Sequence, residues 1–286
     1  MENKRGEADL KGHVSHKILG GRAMRITNRT CLALSNPRSF TLTELLVVVF
    51  IMALITGMAA PLFNLIFRSE GLTATAGDVE QLLEQARSYA MGKNTYVYVG
   101  IIEVDDAQQG PSPLQTAVAG VGRLVVAVIS SQDGTSGFDP TSSSNPIWTA
   151  YNGGASLSAM SKLRTFSNIH LTDLSSSMNG NLVRPSVAST PGYNLGTETC
   201  QSVTPFAWPL GRNLNSGQYN FTKVIQFTPQ GSASVILASN GEAIPQWIEI
   251  GLTPTHGNIL PISPTTGNQV VLQINGVSGG VSIYRP

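Results

Sequence analysis

The feature that most constrains this chain is a long apolar run that follows a basic segment. Between Arg38 and Arg68 the sequence reads SFTLTELLVVVFIMALITGMAAPLFNLIF, with Glu44 as the single ionisable side chain. Phe40 to Ala60 is 21 residues. As a helix rising about 1.5 Å per residue it spans about 30 Å, the thickness of a hydrocarbon core. Eleven Leu, Ile, Val and Phe residues fall in that window. Each favours insertion by about 0.3–0.6 kcal/mol, against one acid that costs about 2.5–3.5 kcal/mol at mid-membrane and less near an end. The balance predicts a membrane helix.

Charge gives that helix a direction. Residues 1–39 hold eight basic side chains (Lys4, Arg5, Lys11, Lys17, Arg22, Arg25, Arg29, Arg38) and three acidic ones, whereas residues 40–286 hold 10 basic and 14 acidic. The positive-inside rule keeps the basic segment cytoplasmic and exports the remainder, in a bacterium to the periplasm. A removable secretory signal fits less well, because its apolar stretch runs about 7–15 residues and a cut after Ala60 would leave Pro61 beside the scissile bond. Only 12% of residues are charged and the net charge is +1, which excludes a highly charged disordered tail or nucleic-acid coat. Cys31 and Cys200 stand on opposite sides of the apolar run, so neither a disulfide framework nor a cysteine zinc site is expected.

The junction itself is more specific. Arg38-Ser39-Phe40-Thr41-Leu42-Thr43-Glu44-Leu45-Leu46 resembles the prepilin processing site of type IV pilins and type II secretion pseudopilins. The resemblance implies cleavage between Ser39 and Phe40 by a prepilin peptidase, N-methylation of Phe40, and use of Glu44 as an assembly contact. Ser39 stands where the family usually has Gly, and Pro61 falls where it commonly has Pro. The family further implies a filament of pilin-like subunits drawn from membrane lipid by an inner-membrane assembly platform. No cofactor is implied.

The residues carry their own physical reading beside this one. Glu44 is either an acid snorkelling at a membrane boundary or the partner of a neighbouring subunit's freed amine, since an unpaired carboxylate is costly in a low-dielectric bundle. Pro61 removes a backbone donor and crowds the preceding turn, so a kink or local melt near Gly57 and Pro61 is expected, the plainer alternative being a helix end. Met24 opens a 16-residue, acid-free leader with three Arg, which makes Met24 the expected start of translation.

Beyond Arg68 the apolar positions Leu72, Ala76, Val79, Leu82, Leu83, Ala86 and Ala90 recur in steps of three and four, the mark of a helix with one buried face. Gly92 reads as its stop. One helix is therefore predicted from about Leu42 to Met91, membrane-spanning over 40–67 and amphipathic over 68–92. Residues 93–286 form the expected head, with strands at Thr95–Glu103, Arg123–Ser130, Ile147–Tyr151, Lys223–Thr228, Ser232–Leu237, Gln246–Leu252, Gln269–Ile274 and Gly280–Tyr284. Pro229-Gln230-Gly231 signals a hairpin, and the stretches Ser131–Met160 and Ser175–Pro205 read as long loops. The fold class is α+β: a long N-terminal helix packed on an antiparallel-sheet head. Gln85–Ala90 (QARSYA) and the Phe227-x-Pro229-x-Gly231 pattern are similar to minor H-type pseudopilins.

Catalytic patterns are sparse. Gly276-Val277-Ser278-Gly279-Gly280 satisfies G-x-S-x-G, but six residues remain after it, too few for the helix and His a nucleophile elbow requires. His13, His16, His170 and His256 are dispersed and show no metal-ligand spacing. The reading is a structural subunit and not an enzyme. The alternative is a membrane-anchored periplasmic binding head, such as a DNA-capturing or carbohydrate-binding minor pilin, although the acidic balance after residue 39 speaks against general phosphate binding.

Overall fold

The computed structural model describes residues 41–108, 115–137, 156–174, 184, 192–212, 214, 216–237, 241–260 and 268–285, and of 57–70 the backbone alone. The chain divides into two compact units, one ending at Leu54 and the other running from Ile55. Helix α1 is Leu42–Lys93. It starts at a threonine cap and ends in a Schellman motif: Asn94 takes φ 51°, with Thr95 N donating to Ala90 O at 3.0 Å and Asn94 N to Met91 O at 3.4 Å. Gly92 stays helical; the left-handed residue that closes the helix is Asn94, an amide side chain that tolerates this conformation.

Thirteen strands follow. They are β1 (Val97–Asp105), β2 (Gly122–Ser131), β3 (Leu157–Ala159), β4 (Arg164–Ser167), β5 (Ile169–Thr172), β6 (Gly192–Asn194), β7 (Phe206–Trp208), β8 (Tyr219–Phe221), β9 (Lys223–Phe227), β10 (Ala233–Ser234), β11 (Trp247–Pro254), β12 (Val270–Asn275) and β13 (Val281–Tyr284). One sheet has the order β10-β9-β1-β2-β3, with β4 also on β2. A second has β13-β12-β11-β5, with β6 also on β11, and β7-β8 form a ribbon. Every pairing among the described residues is antiparallel except β6 with β11.

The helix residues expected to be buried are buried. Leu72, Ala76, Val79, Leu82, Leu83, Ala86 and Ala90 are at most 6% exposed and share one core with Val97, Val99 and Ile101 of β1, Leu124, Val126 and Val128 of β2, and Ile248, Ile250 and Leu252 of β11. Tyr98, Val125, Ala127 and Ile129, on the opposite face of β1 and β2, form a second core with Phe206, Tyr219 and Phe221. These two strands are thus covered on both faces, which is why TYVYVGIIE and RLVVAVIS read as apolar runs without clean alternation. Gly100 makes the second core possible: a Cβ there would lie 2.5 Å from Phe206 Cζ and 2.7 Å from Phe221 Cβ.

The Pro229-Gln230-Gly231 hairpin forms as expected, joining β9 to β10 with Phe227 opposite Ala233. Thr228 N donates to Ser232 O at 2.9 Å, and Gly231 takes φ 86° where a Cβ would meet Met91 Sδ at 2.7 Å. Two loop expectations are corrected in part, because β3 and β6 lie inside the stretches read as loops. Both have three residues and carry Ser, Gly or Asn, so they hold their place by pairing with β2 and β11 and not by intrinsic propensity. The expected strand Ile147–Tyr151 lies outside the described residues.

Candidate functional site at the start of the helix

Every residue from Thr41 to Thr56 is exposed. The large apolar side chains run all around the helix, from Leu42 at 79% and Phe50 at 63% exposed to Leu54 at 48%. A helix that is apolar on all sides has no face for water and needs lipid or other helices around it. Among the described residues no helix is long and apolar enough to cross a membrane.

Glu44 sits at the third helical position, and its surroundings are a complete capping box. Thr41 N donates to Glu44 Oε2 at 2.9 Å, Thr41 Oγ1 donates to the same oxygen at 2.8 Å, and Glu44 N donates back to Thr41 Oγ1 at 3.3 Å. The reciprocal bonds satisfy amides that the first turn would leave without partners. The pattern Thr41-x-x-Glu44 ahead of an apolar run is the sequence signal for this arrangement. Neither reading of Glu44 from the sequence, as a snorkelling acid or as the partner of a neighbour's amine, includes it. Ser39 and Phe40, the expected processing pair, lie outside the described residues, as does the leader 1–39. Helix α1 continues without a break through Gly57 and Pro61, the expected kink positions, whose side chains are not described.

The second unit holds a cleft of about 490 Å³ lined by Glu103, His170, Asp173, Glu198 and Lys223 among others. Glu103 is pinned from three sides: His170 Nδ1 lies 2.9 Å from Oε2, Leu171 N donates to Oε2 at 3.2 Å, and Gly122 N donates to Oε1 at 2.8 Å. It thereby ties β1 to β5 across the two sheets. Lys223 donates to the carbonyls of Leu195 and Thr197, and burial pushes its amine down from the usual lysine range, with Glu198 opposing. Cys200 is buried, and burial raises its thiol to about 11. Elsewhere Arg184 Nε and Gln273 Nε2 donate to the buried Glu249 at 2.6 and 3.0 Å. Glu103 and His170 are 67 residues apart in sequence, and no local pattern announces their meeting.

The start of the helix has a counterpart among known families. The family model of the prokaryotic N-terminal methylation motif matches residues 34–60. The matched motif spans Ser39, Phe40, Glu44 and Gly57 and stops one residue before Pro61. It supports a pilin-like subunit, processed by a prepilin peptidase and associating with other pilin subunits. No curated protein and no solved structure matches the chain.

Proposed function

We propose that this protein is a structural subunit of a type II secretion pseudopilus or type IV pilus-like filament, cut before Phe40, methylated there, and assembled through its N-terminal helix. The observation that carries the reading is the coincidence of the methylation motif over 34–60 with a helix whose apolar residues are exposed on every side. Before assembly the helix would lie in the inner membrane with the head in the periplasm, and Glu44 would receive the freed amine of a neighbour. A minor position in the filament is favoured by the size of the head, residues 93–286. The QARSYA segment and the Phe-x-Pro-x-Gly hairpin make an H-type pseudopilin the nearest description.

The test is intact mass and N-terminal sequence after co-expression with a prepilin peptidase. The expected product begins at Phe40 and carries one added methyl group. A full-length, unmodified product from wild type, under conditions where Ser39→Gly is cut, would overturn processing of the native sequence. The cleft beside Glu103 supports the second reading, a membrane-anchored binding head. That reading predicts that Glu44→Leu leaves function intact, whereas a filament subunit loses incorporation.

A further inference from the structure

We infer that the cleft of the second unit binds an organic cation: a primary ammonium or guanidinium group on a hydrocarbon stem, as in a lysine or arginine side chain or a free diamine. Such binding gives the binding-head reading a ligand class, holds equally for a filament subunit, and depends on neither cleavage nor assembly. The cleft of about 490 Å³ is of the size that takes small ligands. Its floor is consumed by the fold. Glu103 accepts from Gly122 N at Oε1 and from Leu171 N at Oε2, with His170 Nδ1 within 3.0 Å of both oxygens. Lys223 spends its amine on the carbonyls of Leu195 and Thr197. The mouth is different. Asp173 and Glu198 line it and are exposed; Asp173 Oδ1 accepts from Asn194 Nδ2 at 2.9 Å, while among the described residues Glu198 has no hydrogen-bond partner. Three carboxylates, those of Glu198, Glu103 and Asp173, act on the one half-buried Lys223 amine. The described lining is therefore negative whether or not His170 carries a proton.

Other ligand classes lack what they need here. An anion would meet like charge. A metal ion needs converging ligands, and among the described residues no three of His, Cys, Asp and Glu are placed to hold one. A quaternary ammonium is held by aromatic faces and a nucleobase by stacking on them, yet no Phe, Tyr or Trp is among the described lining residues. What fits is a cation that carries N–H groups, because open carboxylates accept from it in charge-assisted hydrogen bonds. Half-buried Ile102 and Val121, with Leu171 beneath, supply an apolar wall. A hydrocarbon stem lies along such a wall while its charged head stays near water.

The experiment is a calorimetric titration of the full-length, uncut protein in an uncharged detergent. The probes are cadaverine, a capped alanine peptide with one central lysine, and tetramethylammonium as a cation without N–H groups, all at equal ionic strength. Wild type is compared with Glu198→Gln, Asp173→Asn and Asp78→Asn, the last an exposed acid of α1 outside the lining. Both cleft acids are exposed, so the unfolding midpoint should not move and a loss of binding can be read as such. Wild type is expected to bind cadaverine saturably and tetramethylammonium not at all. Glu198→Gln and Asp173→Asn each weaken binding by roughly threefold to tenfold, and Asp78→Asn leaves it unchanged. Binding of the lysine peptide as well assigns the cleft to a basic segment of a protein partner; binding of cadaverine alone assigns it to a free amine. No saturable binding of either, equal binding of tetramethylammonium, or unchanged binding in both cleft variants overturns the inference. None of these outcomes touches cleavage before Phe40, which is read separately by mass and N-terminal sequence.

Discussion

Two stretches of one helix, Leu42–Ile55 and Leu72–Ala90, obey opposite rules. In the first, Leu45 and Leu46 are each 61% exposed and no side is spared. In the second, Leu83, Ala86 and Ala90 are fully buried while Gln81, Gln85 and Ser88 face solvent. Helical geometry is the same in both; the composition of the faces differs. An amphipathic stripe draws its partner from its own chain, here the inner faces of β1, β2 and β11. A helix apolar on all sides must draw its partner from outside the chain. The second stretch is therefore a matter of folding, and the first, on the function proposed above, a matter of assembly.

The sharpest way to break this comparison is truncation at matched leucines. Leu83→Ala should destabilise the head by about 3 kcal/mol, the cost of a core cavity, while Leu46→Ala should leave the unfolding midpoint of the full chain in detergent unchanged. Equal losses would mean that the first stretch also belongs to the folded core. Enlargement gives a smaller contrast. Ala86→Leu forces extra volume against the strands and should cost about 2 kcal/mol, whereas Ala53→Leu, on the exposed stretch, should be neutral by the same denaturation assay. The smallest effect tests the rim of the buried face. Arg87 Nε donates to Ser278 O at 2.7 Å and its Nη1 pairs with Glu84 at 3.2 Å, the Arg87 and Glu84 side chains each being about a third exposed. Arg87→Ala should cost about 0.5–1 kcal/mol; no measurable loss would show that apolar contacts alone hold the helix.

Much of this organisation was legible in the sequence because it is written in local periods. Steps of three and four from Leu72 to Ala90 picked out the buried face, and apolar runs at Thr95–Glu103 and Arg123–Ser130 marked β1 and β2. The hairpin at Pro229–Gly231 was announced by its turn residues. Six strands, β3 to β8, were not announced. They have three or four residues each, too few for a period to show; β3 to β6 exist because a longer neighbour offers hydrogen bonds, and β7 and β8 pair with each other. The methylation motif at 34–60 was equally local, although the capping role of Thr41 within it went unread.

By itself, then, the sequence determined where the all-apolar helix begins, which face of its continuation is buried, and where processing is to be expected, since each depends on residues within a few positions of one another. Tertiary structure decided the rest. Only the packed sheets bring Glu103 to His170, or Arg184 to Glu249. Only the ribbon β7-β8 laid across β1 explains why position 100 is glycine, with the Phe206 and Phe221 rings stacked 5.0 Å apart over it. Partners of that kind are chosen by which strands become neighbours, and strand order is a property of the whole chain.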